Sequence, residues 1–230
     1  MVWREEAKKR VASEAVKHLQ DNFIVGLGSG STAAYVIQQI GEKIRLEDLR
    51  ILGVPTSHQA MMLAVHFSVP LTTLNEHPQL DLAIDGADQI DRDFNLIKGG
   101  GGALTREKIV ASAARQFVIV ADETKRVEKL GTNHTIPIEV LPFALPTVMV
   151  KLRELKGKPV LREGGGKVGP LVTDNGNFVV DVDFGPVDAV KKLDFQLKLI
   201  PGVIETGLFV EMADVVYLGK ADGVLKLERK

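Results

Sequence analysis

Short, nearly continuous apolar runs alternate with amphipathic stretches along the first half of the chain. Phe23–Leu27, the segment near Arg50–Val54, Val69–Leu74, Leu80–Ile84 and Phe117–Ala121 are bounded by polar or glycine-containing turns. That is the pattern of strands buried on both faces. Between them, helical spacing of apolar positions predicts helices over Arg4–Leu19, Ser31–Ile40, Ser57–His66 and Leu104–Arg115. The alternation predicts an α/β fold, a Rossmann-like doubly wound and mostly parallel sheet.

The pattern changes after Lys125. Residues 136–141 read as a strand and 145–156 as a helix; Val160–Arg162, Leu171–Thr173 and Phe178–Asp183 read as strands, and 186–197 as a helix. The run Asp174-Asn175-Gly176-Asn177 is a tight hairpin signal. This order predicts a second, smaller α+β domain, an antiparallel sheet plus two helices. The apolar run Ala213–Leu218 is expected to return to the first domain. The expected division is therefore 1–128 with 206–230 as the catalytic domain, and 129–205 as a lid or oligomerisation domain.

Composition removes several classes of function. With 230 residues, 29 basic against 30 acidic side chains and a formal net charge of −1, there is no basic surplus for nucleic acid or an anionic membrane surface. The absence of cysteine excludes disulfides, thiolate nucleophiles and cysteine zinc sites. The N-terminal stretch is charged and amphipathic without an apolar signal core, and no run approaches the length of a membrane span. The expected location is the cytoplasm. Any bound anion must be met by a local arrangement.

One such arrangement is FIVGLGSGST at 23–32, which runs from a strand through glycines into a helix. Free N–H groups at the helix start, with the hydroxyls of Ser29, Ser31 and Thr32 around Gly30, suit a phosphate. A P-loop would need Gly-Lys-Ser/Thr, and a dinucleotide fingerprint a third glycine where Ser31 stands. A small phosphate monoester remains, beside the plainer reading of a serine-capped turn.

Asp85-Gly86-Ala87-Asp88 follows a strand, where open α/β sheets bind ligands. A solvated turn is the plain alternative, and a calcium loop with Asp91 and Asp93 is another, although its spacing departs from the EF-hand pattern. Lys98-Gly99-Gly100-Gly101-Gly102 leads directly into a helix. So many glycines cost conformational entropy on ordering, but they let backbone N–H groups approach a ligand oxygen, with Lys98 adding charge. The alternative is a flexible hinge with an exposed lysine.

Glu107 shares a helical face with Ala103, Leu104, Val110, Ala111 and Ala114, so its carboxylate is expected to point inward. Partial desolvation would raise its pKa towards that of a useful general base. Otherwise it complements the helix dipole in solvent. Lys125 follows the strand Phe117–Ala121 and a short turn, a second strand-end position suited to a substrate oxygen. The five histidines show no metal-ligand spacing. In the glycine-rich stretch REGGGKVGP at 162–170, Arg162 and Lys167 either face a substrate or are surface charges.

The set GSGSTA, DGAD, KGGGGALTREK and ADETK, in this order, closely resembles ribose-5-phosphate isomerase of the A type. The resemblance extends over essentially the whole chain, including VTDNGN and Pro201-Gly202-Val203. It implies substrate loops at Ser29–Thr32, Asp85–Asp88 and Lys98–Gly101, a proton acceptor at Glu107 and a further substrate-contacting lysine at Lys125. Lys8 is a candidate for a phosphate-contacting lysine near the family's N-terminus. Ser29 stands where many members have threonine, and REGGGKVGP is longer than the corresponding turn in some bacterial members.

The implied reaction interconverts D-ribose 5-phosphate and D-ribulose 5-phosphate, a step of the non-oxidative pentose phosphate pathway, without metal or cofactor and in a homodimer or homotetramer. Glu107 would move the proton between C2 and C1 through a cis-enediolate. Lys98 and the glycine N–H groups would hold the oxyanion, Asp85 would assist ring opening, and Asp88 would position hydroxyls. Two alternatives stand beside it. A related aminosugar-phosphate isomerase/deaminase would be expected to show a histidine-centred site. A non-enzymatic sugar-phosphate sensor has no need of the base.

Overall fold

A computed structural model describes residues 2–166 and 168–229. In chain order the elements are α1 (Val2–Ala15), β1 (Phe23–Leu27), α2 (Ser31–Glu47), β2 (Ile51–Pro55), α3 (His58–His66), β3 (Leu82–Asp85), β4 (Gln89–Ile90) and β5 (Leu96–Ile97). There follow α4 (Leu104–Ala113), β6 (Phe117–Asp122), β7 (Ile136–Val140), α5 (Leu145–Glu154), β8 (Lys158–Leu161) and β9 (Phe178–Asp183). The last are α6 (Val190–Lys198), β10 (Val203–Thr206), β11 (Leu208–Phe209), β12 (Val215–Gly219) and β13 (Val224–Glu228).

Two compact units result: Met1–Ala87 with Arg106–Lys125 and Met212–Lys230, and Asp88–Thr105 with Arg126–Glu211. The first holds a six-stranded sheet in the order β13-β12-β6-β3-β1-β2, parallel except for β13. Strand periodicity places its helices. Val25, Leu27, Leu82 and Ile84 pack with Val11 and Ala12 of α1, Val36 and Ile37 of α2 and Ala60 of α3. The intervening Gly26 and Ala83 turn to the other face. A Cβ on Gly26 would fall 2.4 Å from Val110 Cγ1, so α4 covers that second face, and the sheet is doubly wound as expected.

The second unit is built on an antiparallel sheet in the order β10-β7-β9-β8. Its Ile136, Ile138, Val140, Val180 and Val182 pack against Val148 and Leu152 of α5 and Leu197 of α6. Pro137, Glu139, Val179 and Asp181 alternate onto the opposite face. A small sheet, β11-β5-β4, completes this unit.

Several expectations need correction. The segment Val69–Leu74 is not a strand. Pro70 has no N–H for a ladder, and only Leu71 bridges Gly53. Leu171–Thr173 likewise reduces to a single bridge, Val172 to Phe178. Helix α2 continues past Ile40 to Glu47 because Gly41 is a contact point and not a terminator: a Cβ there would fall 2.3 Å from the Phe67 carbonyl oxygen. The last expected helix starts at Val190, not at 186. Residues 88–105, 126–128 and 206–211, which the expected division kept in the catalytic domain, belong to the second unit: β5 pairs with β11, and Gly207 N–H, just before β11, donates to the Pro137 carbonyl of β7 at 2.7 Å. Among the described residues, no helix is long and apolar enough to cross a membrane.

Candidate active site

Strand order locates the ligand-binding edge of the first unit. Strand β1 is followed by β2 on one side, while β3 pairs on its other side, so the direction of winding reverses between β1 and β3. Loops at the carboxyl ends of two such strands form the crevice of an open α/β sheet. Here they are Gly28–Thr32 and Asp85–Ala87.

The two turns are bonded together. Gly28 N–H donates to the Ile84 carbonyl at 3.0 Å. The Oδ1 of Asp85 accepts from the backbone N–H of Ser29 at 3.1 Å and of Gly86 at 2.7 Å. Asp85 is 2% exposed and lies so close that a Cβ on Gly28 would fall 2.3 Å from its Oδ1 and 2.6 Å from its Cα. Backbone cannot yield as a flexible side chain can. Gly28→Ala is therefore expected to displace the Asp85 turn and to lower turnover by about tenfold or more, since small misplacements of a site are costly; steady-state kinetics at unchanged folding checks it.

Helix α2 opens at Gly30 (φ 95°), without a side-chain cap. By contrast, α3 is capped by Ser57, whose hydroxyl accepts from Ala60 N–H at 3.1 Å. The first-turn N–H groups of α2, at Ser31 and Thr32, are thus suited to an anion. Ser29 differs from the expectation in detail. Its hydroxyl lies 2.8 Å from Thr56 Oγ1 and 2.6 Å from Ser57 Oγ, and Gly30 N–H donates to Gln59 Oε1 at 2.9 Å. Thr56 and Ser57, in the turn after β2, and Gln59, in the first turn of α3, were not singled out from sequence. The signal was a second strand–hydroxyl–helix turn, TSHQ, at a neighbouring strand end.

Glu107 is 6% exposed, with Leu104, Val110 and Ala111 of its helical face also buried. Val110 abuts Gly26, and the far end of α4 lies beside the start of the β3 segment, where Leu80 N–H donates to the Ala113 carbonyl. The helix therefore runs antiparallel to the strands. Glu107 stands one turn nearer their carboxyl ends than Val110, about 4.5 Å along the axis. Asp85 alternates with Ile84 and so shares the face that α4 covers. The inward direction expected for Glu107 is what the fold produces. Lys125 is half-buried on the short turn after β6.

In the second unit, Asp88 and the oligoglycine run fold onto each other. Gly100 N–H donates to Asp88 Oδ2 at 2.8 Å, and Asp88 N–H to the Ile97 carbonyl at 2.8 Å. Gly99 has φ +104°, and a Cβ there would fall 2.9 Å from Leu104 and 3.3 Å from Pro137. Lys98 is 3% exposed; its N–H donates to the Gly207 carbonyl at 2.9 Å, and its Nζ lies 5.5 Å from the centre of the Phe209 ring. Lys98 is thus buried, not exposed as the alternative reading required.

The remaining candidates resolve differently. Asp91 accepts from Asp93 N–H, Asn95 N–H and Asn95 Nδ2, each at 2.9 Å, so it closes a turn. Lys8 pairs with Glu5 at 2.8 Å on its own helix. Arg162 is bound to Asp181 and to the glycine run, not exposed as surface charge. Lys167 lies outside the described residues. Glu139, also not singled out, is fully buried and accepts from Thr173 Oγ1, Asn175 Nδ2, Asn177 Nδ2 and Thr105 Oγ1. A lone carboxylate inside an apolar strand, IPIEV, was the legible sign.

Comparison with known proteins points to one family. Residues 52–223 match the family model of ribose 5-phosphate isomerase A (phosphoriboisomerase A). The chain is 52% identical to ribose-5-phosphate isomerase A of Methanosarcina acetivorans over 96% of this chain and 93% of that one. It is 45% identical to the Pyrococcus horikoshii protein, over 98% and 99%. Among solved structures, ribose 5-phosphate isomerase A of Methanocaldococcus jannaschii superposes with a TM-score of 0.94 at 45% identity, covering 97% of this chain and 99% of the other. A D-ribose-5-phosphate isomerase in complex with phospho-erythronic acid gives 0.96 at 44%, covering 98% and 99%. These relatives are aldose–ketose isomerases, which shift a carbonyl between neighbouring carbons. The chain belongs to the ribose-5-phosphate isomerase A family.

Proposed function

We propose that the chain interconverts D-ribose 5-phosphate and D-ribulose 5-phosphate with Glu107 as the single base. The observation that carries this is a buried carboxylate on an apolar helical stripe, on the sheet face that also presents Asp85. Glu107 takes the proton from C2 of the open-chain aldose, leaving a cis-enediolate, and returns it to C1. Asp85, fixed by two backbone N–H groups, assists ring opening and hydroxyl proton movement. Asp88 orients hydroxyls, and the Gly28–Thr32 turn with the uncapped start of α2 receives the phosphate. Lys98 and the glycine N–H groups stabilise the oxyanion that develops as the C2 proton leaves. Lys125 contacts a substrate oxygen.

Phospho-erythronic acid, bound by a relative, supports the reading. Its planar carboxylate carries charge as an enediolate does, which suits a site complementary to that intermediate. A coupled assay tests it: ribose 5-phosphate is converted, an aminosugar phosphate is not, and EDTA leaves the rate unchanged. Release of ammonia, or no turnover of ribose 5-phosphate, would overturn it. A cytoplasmic homodimer or homotetramer completes the proposal, supported by family membership and by large apolar side chains left exposed in the second unit, with Phe143 at 94% and Leu199 at 65%. A monomer in sedimentation equilibrium would remove that part.

A further inference from the structure

An oligoglycine loop has a problem that its function creates. Without Cβ atoms, each peptide plane can rotate at little cost, and the N–H groups then have no fixed direction. Catalytic donors must be fixed before the charge develops. One bond within the run, from Gly102 N–H to the Gly99 carbonyl at 3.0 Å, supplies part of that order, and the rest must come from outside it.

Arg162 is placed to do so. Its Nη1 donates to the Gly99 carbonyl at 2.9 Å and to the Gly100 carbonyl at 3.0 Å. Its Nε donates to Asp181 Oδ2 at 2.7 Å, and its Nη2 to Asp181 Oδ1, so the fork is held on its other edge by a bidentate carboxylate. Asp181 stands on β9 directly opposite Pro137 of β7, on the sheet face away from α5 and α6. Pro137 is the residue nearest the position of a Gly99 Cβ after Leu104. The arginine thus rests on rigid strand, not on the loop it orders.

In a trans peptide the C=O and the following N–H point in opposite directions. Fixing the Gly99 and Gly100 carbonyls therefore fixes the N–H groups of Gly100 and Gly101. The first of these meets Asp88 Oδ2. The guanidinium also polarises both peptides, which strengthens their N–H groups as donors.

We propose that Arg162, braced by Asp181, is a positioning residue that locks the two peptide planes of the oxyanion-binding glycine loop. The proposal rests on the isomerase reading given above, which assigns that loop its role. Arg162 touches no reacting atom. Its effect passes through Gly99, Gly100 and Asp88.

The test is steady-state kinetics of Arg162→Ala, Arg162→Lys and Asp181→Asn on ribose 5-phosphate, with melting temperatures, and with and without millimolar guanidinium chloride. In Arg162→Ala, kcat is expected to fall about 10²-fold with KM changed by less than about threefold, the signature of a contact felt mainly in the transition state. Guanidinium, but not an equal concentration of sodium chloride, restores part of the loss. Arg162→Lys recovers little, because one ammonium cannot span two carbonyls and a carboxylate. Asp181→Asn, which keeps the side-chain volume, gives an intermediate loss of kcat and covers the case in which Arg162→Ala does not fold.

Parent-like kcat in a folded Arg162→Ala, an effect confined to KM, or a loss that guanidinium cannot reduce would each overturn the proposal. So would parent-like kcat in Asp181→Asn. The two readings fail separately. A fully active Glu107→Gln removes the proton-transfer mechanism, whereas an inactive Glu107→Gln beside a parent-like Arg162→Ala removes only the role of Arg162.

Discussion

Glu107→Gln is expected to lower kcat by about 10²–10⁴-fold, the range a positioned general base supplies, with KM near that of the parent. The amide matches the carboxylate in shape, so packing against Leu104, Val110 and Ala111 is retained and the melting temperature should change little. What is lost is the ability to accept a proton. Glu107→Asp gives a graded comparison: it keeps the acid but withdraws it by one methylene, and misplacement of about 1 Å can cost ~10²-fold. Steady-state kinetics on both variants reads the result. Full activity in Glu107→Gln would take the residue out of the chemistry.

The second large effect is expected at Lys98. Lys98→Met keeps most of the buried volume and removes the charge, and kcat should fall by about 10²–10³-fold, as for loss of an oxyanion donor. The methionine can still lie against the Phe209 ring, over which the lysine Nζ stands at 5.5 Å. Lys98→Ala should lose at least as much activity and some stability from the cavity it leaves. If the change in Lys98→Met appears only in KM, the lysine binds ground state and transition state equally, and its oxyanion role is excluded.

The parallel sheet was readable because its strands are apolar on both faces, and Phe23–Leu27 falls where the pattern places it. Glu107 was readable for a related reason: a helix has a fixed period, so its stripe partners are named by counting. Elements without such a period were hidden. Strands β4, β5 and β11 have two residues each, too few to show alternation, and their pairing is what assigns 88–105 to the second unit. Gly41 and Gly102 illustrate the ambiguity of glycine, one inside a helix and one in a tight turn.

The roles of Arg162 and Glu139 could not be read locally either. Each depends on partners far away in the chain, Arg162 on Gly99 and Asp181, Glu139 on Thr105 and Asn177. Sequence offers the charge but not its address. The hydroxyls of Thr56 and Ser57 were missed because their value comes from lying beside Ser29 across adjacent strands, a consequence of sheet order.

The most direct measurement is isomerisation in deuterium oxide, followed by NMR of the pentose phosphates over many turnovers. Transfer through a carboxylate lets the abstracted proton exchange with solvent before it is returned, so deuterium should enter C1 of the ketose and C2 of the recovered aldose, and Glu107→Gln should slow its entry along with the reaction. Complete interconversion with neither carbon labelled after prolonged cycling would show hydrogen passing directly between the two carbons, and would contradict the proton-transfer account.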